Sequence, residues 1–197
     1  MRLNDPLAFM TWSRVNTAIF TPTFVRSVRL EDVDCLETLC VGGEVVGQDT
    51  IESYRSKFRL LGGYGPSETC MCVAIADYSA DATLRSGNLG HSTSVHLWIV
   101  DPQDPHILMP DGAAGDIVME GPGVGRGYLD DPAQTSSAFL CGLAWAHGTS
   151  SSRVFYRSGD IGRRNGDGTV TFIRRKDDQV KYDRPTGKRV LGHLERH

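Results

Sequence analysis

Leu61-Gly62-Gly63-Tyr64-Gly65-Pro66-Ser67-Glu68-Thr69 is the stretch on which the reading of this chain turns. It lies between two apolar runs, residues 58–61 and 70–76, so it reads as a loop joining two buried strands. The glycines let backbone approach a ligand closely, and Pro66 stiffens the turn. One aromatic ring, one hydroxyl and one carboxylate then leave a single tight loop. That set suits a nucleotide: Tyr64 offers a face to a base, Ser67 a donor to a phosphate oxygen and Glu68 an oxygen ligand to Mg²⁺. Taken alone, the stretch fits an ordinary surface turn equally well.

Working upstream, residues 17–20 read as a short strand, and Thr21-Pro22 marks the start of a helix over about 22–28. Residues 36–41 form the next strand candidate, running into Gly42-Gly43-Glu44, which could pass close to a base or simply cap a turn. Asp49 or Thr50 is expected to cap a helix through about Lys57, with Ile51, Tyr54 and Phe58 on one face. Residues 1–16 show no clean cap or period. Strand, helix, strand, helix, strand is the rhythm of a layered α/β unit over residues 1–80.

Downstream the rhythm changes. Residues 95–100, 107–109, 116–120, 154–157 and 169–173 are short strand candidates, and only 133–140 looks helical. Asp101-Pro102, Pro110-Asp111-Gly112 and Asn165-Gly166-Asp167-Gly168 are turn signals between them. Residues 81–174 therefore read as a small β-rich subdomain. In it, Tyr156-Arg157-Ser158-Gly159-Asp160 ends a strand with a carboxylate that can accept from both hydroxyls of a ribose, or merely form a turn. Gly121-Pro122-Gly123-Val124-Gly125-Arg126-Gly127-Tyr128-Leu129 lacks the last glycine of a dinucleotide fingerprint and reads as a structural turn. Residues 176–181 are charged and read as a solvated face.

Composition bounds the rest. The 197 residues are 40% hydrophobic and 23% charged, as in soluble globular proteins, and suffice for one good core plus a small second unit. A net charge of −3 with scattered basic residues carries no footprint for nucleic acid. Five cysteines, an odd count at irregular spacing, argue for a reducing compartment. Cys70 and Cys72 read as core thiols, and His91 and His96 have no companions at metal-ligand spacing. With no signal peptide and no membrane-length apolar run, the chain is expected to be cytoplasmic, with no membrane partner.

In order along the chain, four of these segments resemble motifs of the adenylation domain of nonribosomal peptide synthetases, within the adenylate-forming ligase superfamily. Residues 62–68 are similar to its N-A-Y-G-P-T-E loop, and 115–129 to its G-E-L-x-x-x-G-x-x-V-A-R-G-Y-L segment. Residues 156–161 are similar to Y-R-T-G-D-L, and 175–181 to the R-x-D-x-Q-V-K hinge. The resemblance implies a partial adenylate-forming-enzyme fold, α/β, with a layered βαβ part followed by a distorted barrel-like β-rich subdomain. Residues 175–197 would be the hinge and the start of a further domain.

By that resemblance ATP or AMP is held by Gly43, Glu44, Gly63, Tyr64, Ser67, Asp160 and Arg175. Glu68 ligates Mg²⁺, and Asp177 is the hinge. Ile19, Cys40, Gly42, Gly63, Met71 and Cys72 line the pocket for an amino or aryl acid. The implied reaction joins that acid to ATP, giving an acyl-adenylate and pyrophosphate. The acyl group then passes to a phosphopantetheine thiol on a partner carrier domain. The family's T-S-G-T-T-G-x-P-K phosphate loop appears nowhere in these residues, nor does its C-terminal catalytic lysine, since Lys188 aligns better with the altered end of the hinge motif. Arg174 replaces the usual glycine before the hinge arginine. Catalysis by this chain alone is therefore not expected; the alternative is a non-catalytic nucleotide-binding module or a folded remnant that acts through protein contacts. Strand 70–76 is expected to present an apolar face or an unpaired edge.

Overall fold

The computed structural model describes residues 5–146 and 153–176. Its first part is the expected alternation. Strands β1 (Thr17–Phe20), β2 (Thr38–Gly42) and β3 (Arg59–Tyr64) run parallel, with helix α2 (Pro22–Ser27) crossing from β1 to β2 and α3 (Gln48–Tyr54) from β2 to β3. Thr21 caps α2 as its residue type predicts, its side chain accepting from the Phe24 N–H. Helix α3 departs from expectation at its start. Gly47 is its N-cap, Asp49 falls in the first turn, and Thr50 is buried. The expected apolar face is real, because Ile51, Tyr54 and Phe58 all pack into the core.

A helix not foreseen precedes these elements: α1 (Pro6–Ser13). Its signal was present in Asp5-Pro6, where the aspartate accepts from Ala8 N–H and the proline takes the first helical position. Met10 of α1, Val25 of α2 and Ile51 of α3 share one core with Ala18, Leu39, Val41 and Leu60. Strand residues alternate between faces, so their neighbours Ile19, Cys40 and Leu61 point the other way and are exposed or half-buried.

The second part is antiparallel. β4 (Ala74–Asp77) pairs with β3 and with β5 (Asn88–Ser92), and β5 pairs in turn with β10 (Val170–Arg175). From there the sheet continues through β9 (Phe155–Arg164) and β7 (Ala114–Glu120) to β6 (His96–Val100), with the short β8 (Phe139–Leu140) beside β9 after helix α4 (Pro132–Ala138). Its core gathers Val73, Ile99, Ile117, Met119, Phe139, Tyr156 and Val170. The described structure is thus one mixed ten-stranded sheet with helices, as the α/β expectation had it.

Three expectations are corrected. The strand after the central loop starts only at Ala74, because Cys70 and Met71 both adopt left-handed backbone (φ 63° and 70°). That strand is interior and both its alanines are buried; the ends of the described sheet path are β1 and β6. Residues 107–109 form no strand, only a single bridge between Val100 and Leu108, in a segment flanked by Pro105 and Pro110 that cannot donate to a ladder. Residues 147–152 and 177–197 lie outside the described residues.

Strand β5 was missed because Asn88-Leu89-Gly90-His91-Ser92 has none of the usual strand composition. Its glycine is needed. Gly90 has φ +74°, and a Cβ there would stand 1.9 Å from the Ile75 carbonyl oxygen on β4. Gly90→Ala is expected to destabilise the chain by about 2–5 kcal/mol through backbone strain plus overpacking. Gly112→Ala is the control: its φ is also positive, at +84°, but nothing lies within 4 Å. Urea unfolding of both variants checks this, and equal losses would show that the strand junction is not what Gly90 serves.

Candidate functional site

A cleft of about 1060 Å³ opens where the end of β3 meets β9 and β10. Each of the eight residues assigned to nucleotide or metal from the sequence lines it: Gly43, Glu44, Gly63, Tyr64, Ser67, Glu68, Asp160 and Arg175. They come from segments more than 100 residues apart in the chain, so their meeting is a product of the sheet order.

The end wall is built by pairing. Asp160 and Arg175 are register partners in the β9–β10 hairpin, and Arg175 Nη1 lies 3.0 Å from Asp160 Oδ1. The Tyr64 hydroxyl donates to the other carboxylate oxygen at 2.5 Å, tying β3 to β9 across the cleft. The Asp160 N–H donates to Ser158 Oγ, and Ser158 Oγ donates in turn to the Ile117 carbonyl. Asp160 is only 6% exposed, so this carboxylate is fixed on several sides. Burial, and then the charge of Asp160, push the Tyr64 phenol well above its usual range, so it stays a neutral donor.

The central loop turns as its residues dictate. Pro66 leads into a 3-10 turn, Ser67–Thr69, closed by the Thr69 N–H donating to the Pro66 carbonyl. Ser67 is exposed at the rim, and Glu68 is half-buried. The Tyr128 hydroxyl donates to Glu68 Oε1 at 2.7 Å. Tyr128 and Tyr156 both line the cleft and were not singled out from the sequence. Each sits at the edge of a motif that was recognised, which is the only signal they offered. Glu44 also braces the fold, because one carboxylate oxygen accepts from both the N–H and the hydroxyl of Thr23, at 3.1 and 2.6 Å, in the first turn of α2.

The six residues assigned to the acid pocket behave differently. Apart from Gly63 they do not line the cleft. Ile19 pairs with Cys40, and Gly42 with Gly63, across the parallel strands, so these positions share the face opposite Tyr64. A Cβ on Gly63 would lie 3.4 Å from Cys72 Sγ and 3.5 Å from Cys40 Sγ. Burial raises both thiols above their usual range, and the two sulfurs reinforce this for Cys40. Ile19 and Met71 are each 73% exposed, so this face is open among the described residues. The core-thiol reading of Cys70 and Cys72 fails, since both are exposed. Asp177 lies outside the described residues.

Residues 3–129, more than half of the chain, match the family described as AMP-binding enzyme. The chain belongs to that family. It is 40% identical over 189 residues to the nonribosomal peptide synthetase atnA of Emericella nidulans, an alignment that takes in 93% of this chain and 3% of that protein. The Vibrio cholerae adenylation domain AlmE, solved with glycyl-adenosine-5'-phosphate, superposes with a TM-score of 0.71 at 24% identity, covering 90% of this chain and 34% of AlmE. An NRPS protein containing adenylation and PCP domains gives 0.71 at 24% identity over 89% of this chain and 36% of that one. The AMP-binding chain is thus similar to part of an adenylation domain, and it spans a small part of the curated relatives it matches.

The cleft tyrosines set a pH limit. Unfolded phenols ionise near pH 10. In the folded AMP-binding chain burial pushes Tyr78, 1% exposed, up to about 12, and Tyr64 and Tyr156 also hold their protons to higher pH. Their contribution is complete below about pH 10 and lost as pH rises, because the unfolded state then binds fewer protons. For Tyr78 the loss is on the order of 2–3 kcal/mol. Tyrosinate absorbance should therefore rise in step with loss of circular dichroism; smooth ionisation near pH 10 without unfolding would contradict it.

Proposed function

We propose that this chain is the nucleotide-holding portion of an amino-acid-activating adenylation domain of a nonribosomal peptide synthetase. What carries the reading is the convergence of Tyr64, Ser67, Glu68, Asp160 and Arg175 on one cleft, with Asp160 buried and oriented at its end. Asp160 accepts from the ribose hydroxyls, exchanging the Tyr64 donor or sharing it. Tyr64 presents its ring to the adenine, with Gly43 and Glu44 at the rim beside it. Ser67 donates to the α-phosphate. Arg175 stays beside Asp160 and supplies positive charge near the ribose and phosphate. The work is positioning and charge neutralisation, as in other phosphorus transfers.

Glu68 suits Mg²⁺ as a single carboxylate donor. No cluster of three or more His, Cys, Asp or Glu able to hold a metal occurs among the described residues. Mg²⁺ commonly takes one or two protein carboxylates and completes its shell with phosphate oxygens and water, so the one carboxylate fits. Bound there with the nucleotide, the ion would neutralise phosphate charge.

The substrate is an amino or aryl acid, received on the open face that carries Ile19, Cys40, Gly42, Gly63, Met71 and Cys72. Its carboxylate attacks the α-phosphorus of ATP and pyrophosphate leaves, giving an acyl-adenylate; the acyl group then passes to the phosphopantetheine thiol of a carrier domain as AMP leaves. The solved relative that joins adenylation and PCP domains supports this partner. The setting is secondary metabolism in the cytoplasm, with neither nucleic acid nor membrane as partner; no helix among the described residues is long and apolar enough to cross a membrane. The phosphate-loop pattern is absent from these residues, so the complete reaction needs the remainder of the fold. A second reading, a remnant acting through protein contact, is favoured by one observation: the open sheet face with Ile19 at its edge strand.

Equilibrium titration with ATP, alongside amino-acid-dependent ATP–pyrophosphate exchange, separates the readings. The chain is expected to bind ATP. Asp160→Asn and Asp160→Ala should weaken binding by roughly 10- to 100-fold, the worth of a hydrogen bond to a charged group. Exchange by the chain alone should stay at background. A folded chain that binds no ATP sinks the nucleotide reading. Exchange above background, lost in the Asp160 variants, would show that the chain is an active enzyme by itself.

A further inference from the structure

The glycine-rich segment 121–127 has no part in the function proposed above, yet it lies against the central loop at several points. Gly125 N–H donates to the Glu68 carbonyl at 2.7 Å. A Cβ on Gly125 would stand 3.2 Å from that oxygen, and one on Gly123 would stand 3.1 Å from the Thr69 carbonyl oxygen. Both contacts are tighter than side chains usually accept, so small residues are what let the two loops meet.

The segment ends in Tyr128, whose side chain and backbone are both held. Its N–H donates to Thr135 Oγ1 of α4 at 2.9 Å. Its ring meets Phe139 edge-on at 5.5 Å, and Phe139 in turn packs on Tyr156 at 5.1 Å. A phenol is protonated at neutral pH and so donates. That donor goes to Glu68 Oε1 at 2.7 Å, and Tyr156 stands close behind, its hydroxyl 3.5 Å from that of Tyr128. Glu68 is thereby held at both ends, its backbone by Gly125 and its carboxylate by Tyr128.

We propose that Tyr128, presented by the glycine-rich segment, is a positioning residue that fixes the Glu68 carboxylate for the divalent cation accompanying the nucleotide. A half-exposed glutamate would otherwise sample several rotamers, and a cation would have to order it on binding. A neutral phenol is well matched to this role. It restrains one carboxylate oxygen without adding a positive charge that would compete with the cation.

The inference rests on the nucleotide reading, and its test keeps the two apart. ATP affinity is measured on the chain over a range of magnesium concentrations, for wild type, Tyr128→Phe and Gly125→Ala, with folding checked by circular dichroism. Tyr128→Phe should raise the magnesium concentration giving half of the full affinity gain by about 3- to 10-fold, the net worth of a typical hydrogen bond. ATP binding without magnesium should stay within about twofold, a split that general structural damage would not produce. Gly125→Ala, which shifts the Glu68 backbone, should show the same split. An unchanged magnesium midpoint in folded Tyr128→Phe, or equal weakening with and without magnesium, would overturn the positioning role. Wild-type binding that ignores magnesium would overturn it too, while leaving the nucleotide site intact. No ATP binding by folded wild type would remove the underlying reading and this inference with it.

Discussion

Strand β5 is the joint on which the molecule depends. It takes backbone hydrogen bonds from β4 on one side and β10 on the other, and so welds the parallel α/β part to the antiparallel part in one sheet. The Tyr78 hydroxyl reinforces the weld by donating to the Asn88 carbonyl at 2.9 Å. The approach of β4 to β5 leaves no room for a side chain at Gly90, and its backbone conformation is one that glycine adopts freely. A cleft at a junction of two layers is a common place for a ligand, because strand ends from both sides present loops to the same space.

Across that junction the cleft is assembled from pairs. Asp160 meets Arg175 because the β9–β10 register sets them opposite, and Tyr64 at the end of β3 reaches Asp160 across the cleft. The result is a buried carboxylate with one cationic and one neutral partner. Such an acceptor keeps its direction at small reorganisation cost when a ligand arrives. The neutral phenols around it extend the same logic. Tyr64, Tyr78, Tyr128 and Tyr156 are all pushed toward the protonated form by burial, so the cleft walls are held by groups that carry no charge of their own.

The sheet has two unlike faces in its parallel part. One is sealed by α1, α2 and α3, with Leu39, Val41, Leu60 and Ile51 fully buried. The other carries Ile19, Cys40 and Gly63 in an open row with Cys72 beside them. Period-two alternation explains how neighbours in sequence serve different ends: Gly63 looks toward the thiols while Tyr64 looks into the cleft. Parallel strands are ordinarily covered on both faces.

Much was legible before the structure. The βαβ rhythm, the Thr21 cap, the apolar face of α3 and the four ordered motifs are local patterns, decided by side-chain type and spacing. The residues they put forward for the nucleotide line one cleft. The failures were local too in α1, whose Asp5-Pro6 cap went unread, and in the left-handed Cys70 and Met71, which interrupted an apolar run. Other features were beyond any local reading. That Asn88–Ser92 is a strand, that Tyr128 is spent on Glu68, and that Glu44 is spent on Thr23 depend on partners 16 to 83 residues away. Sequence by itself determined which chemical groups the chain carries and which short elements they ride on, because those follow from side-chain type and spacing. Tertiary structure alone decided which groups meet, because hydrogen-bond register and sheet order act between segments that are remote along the chain.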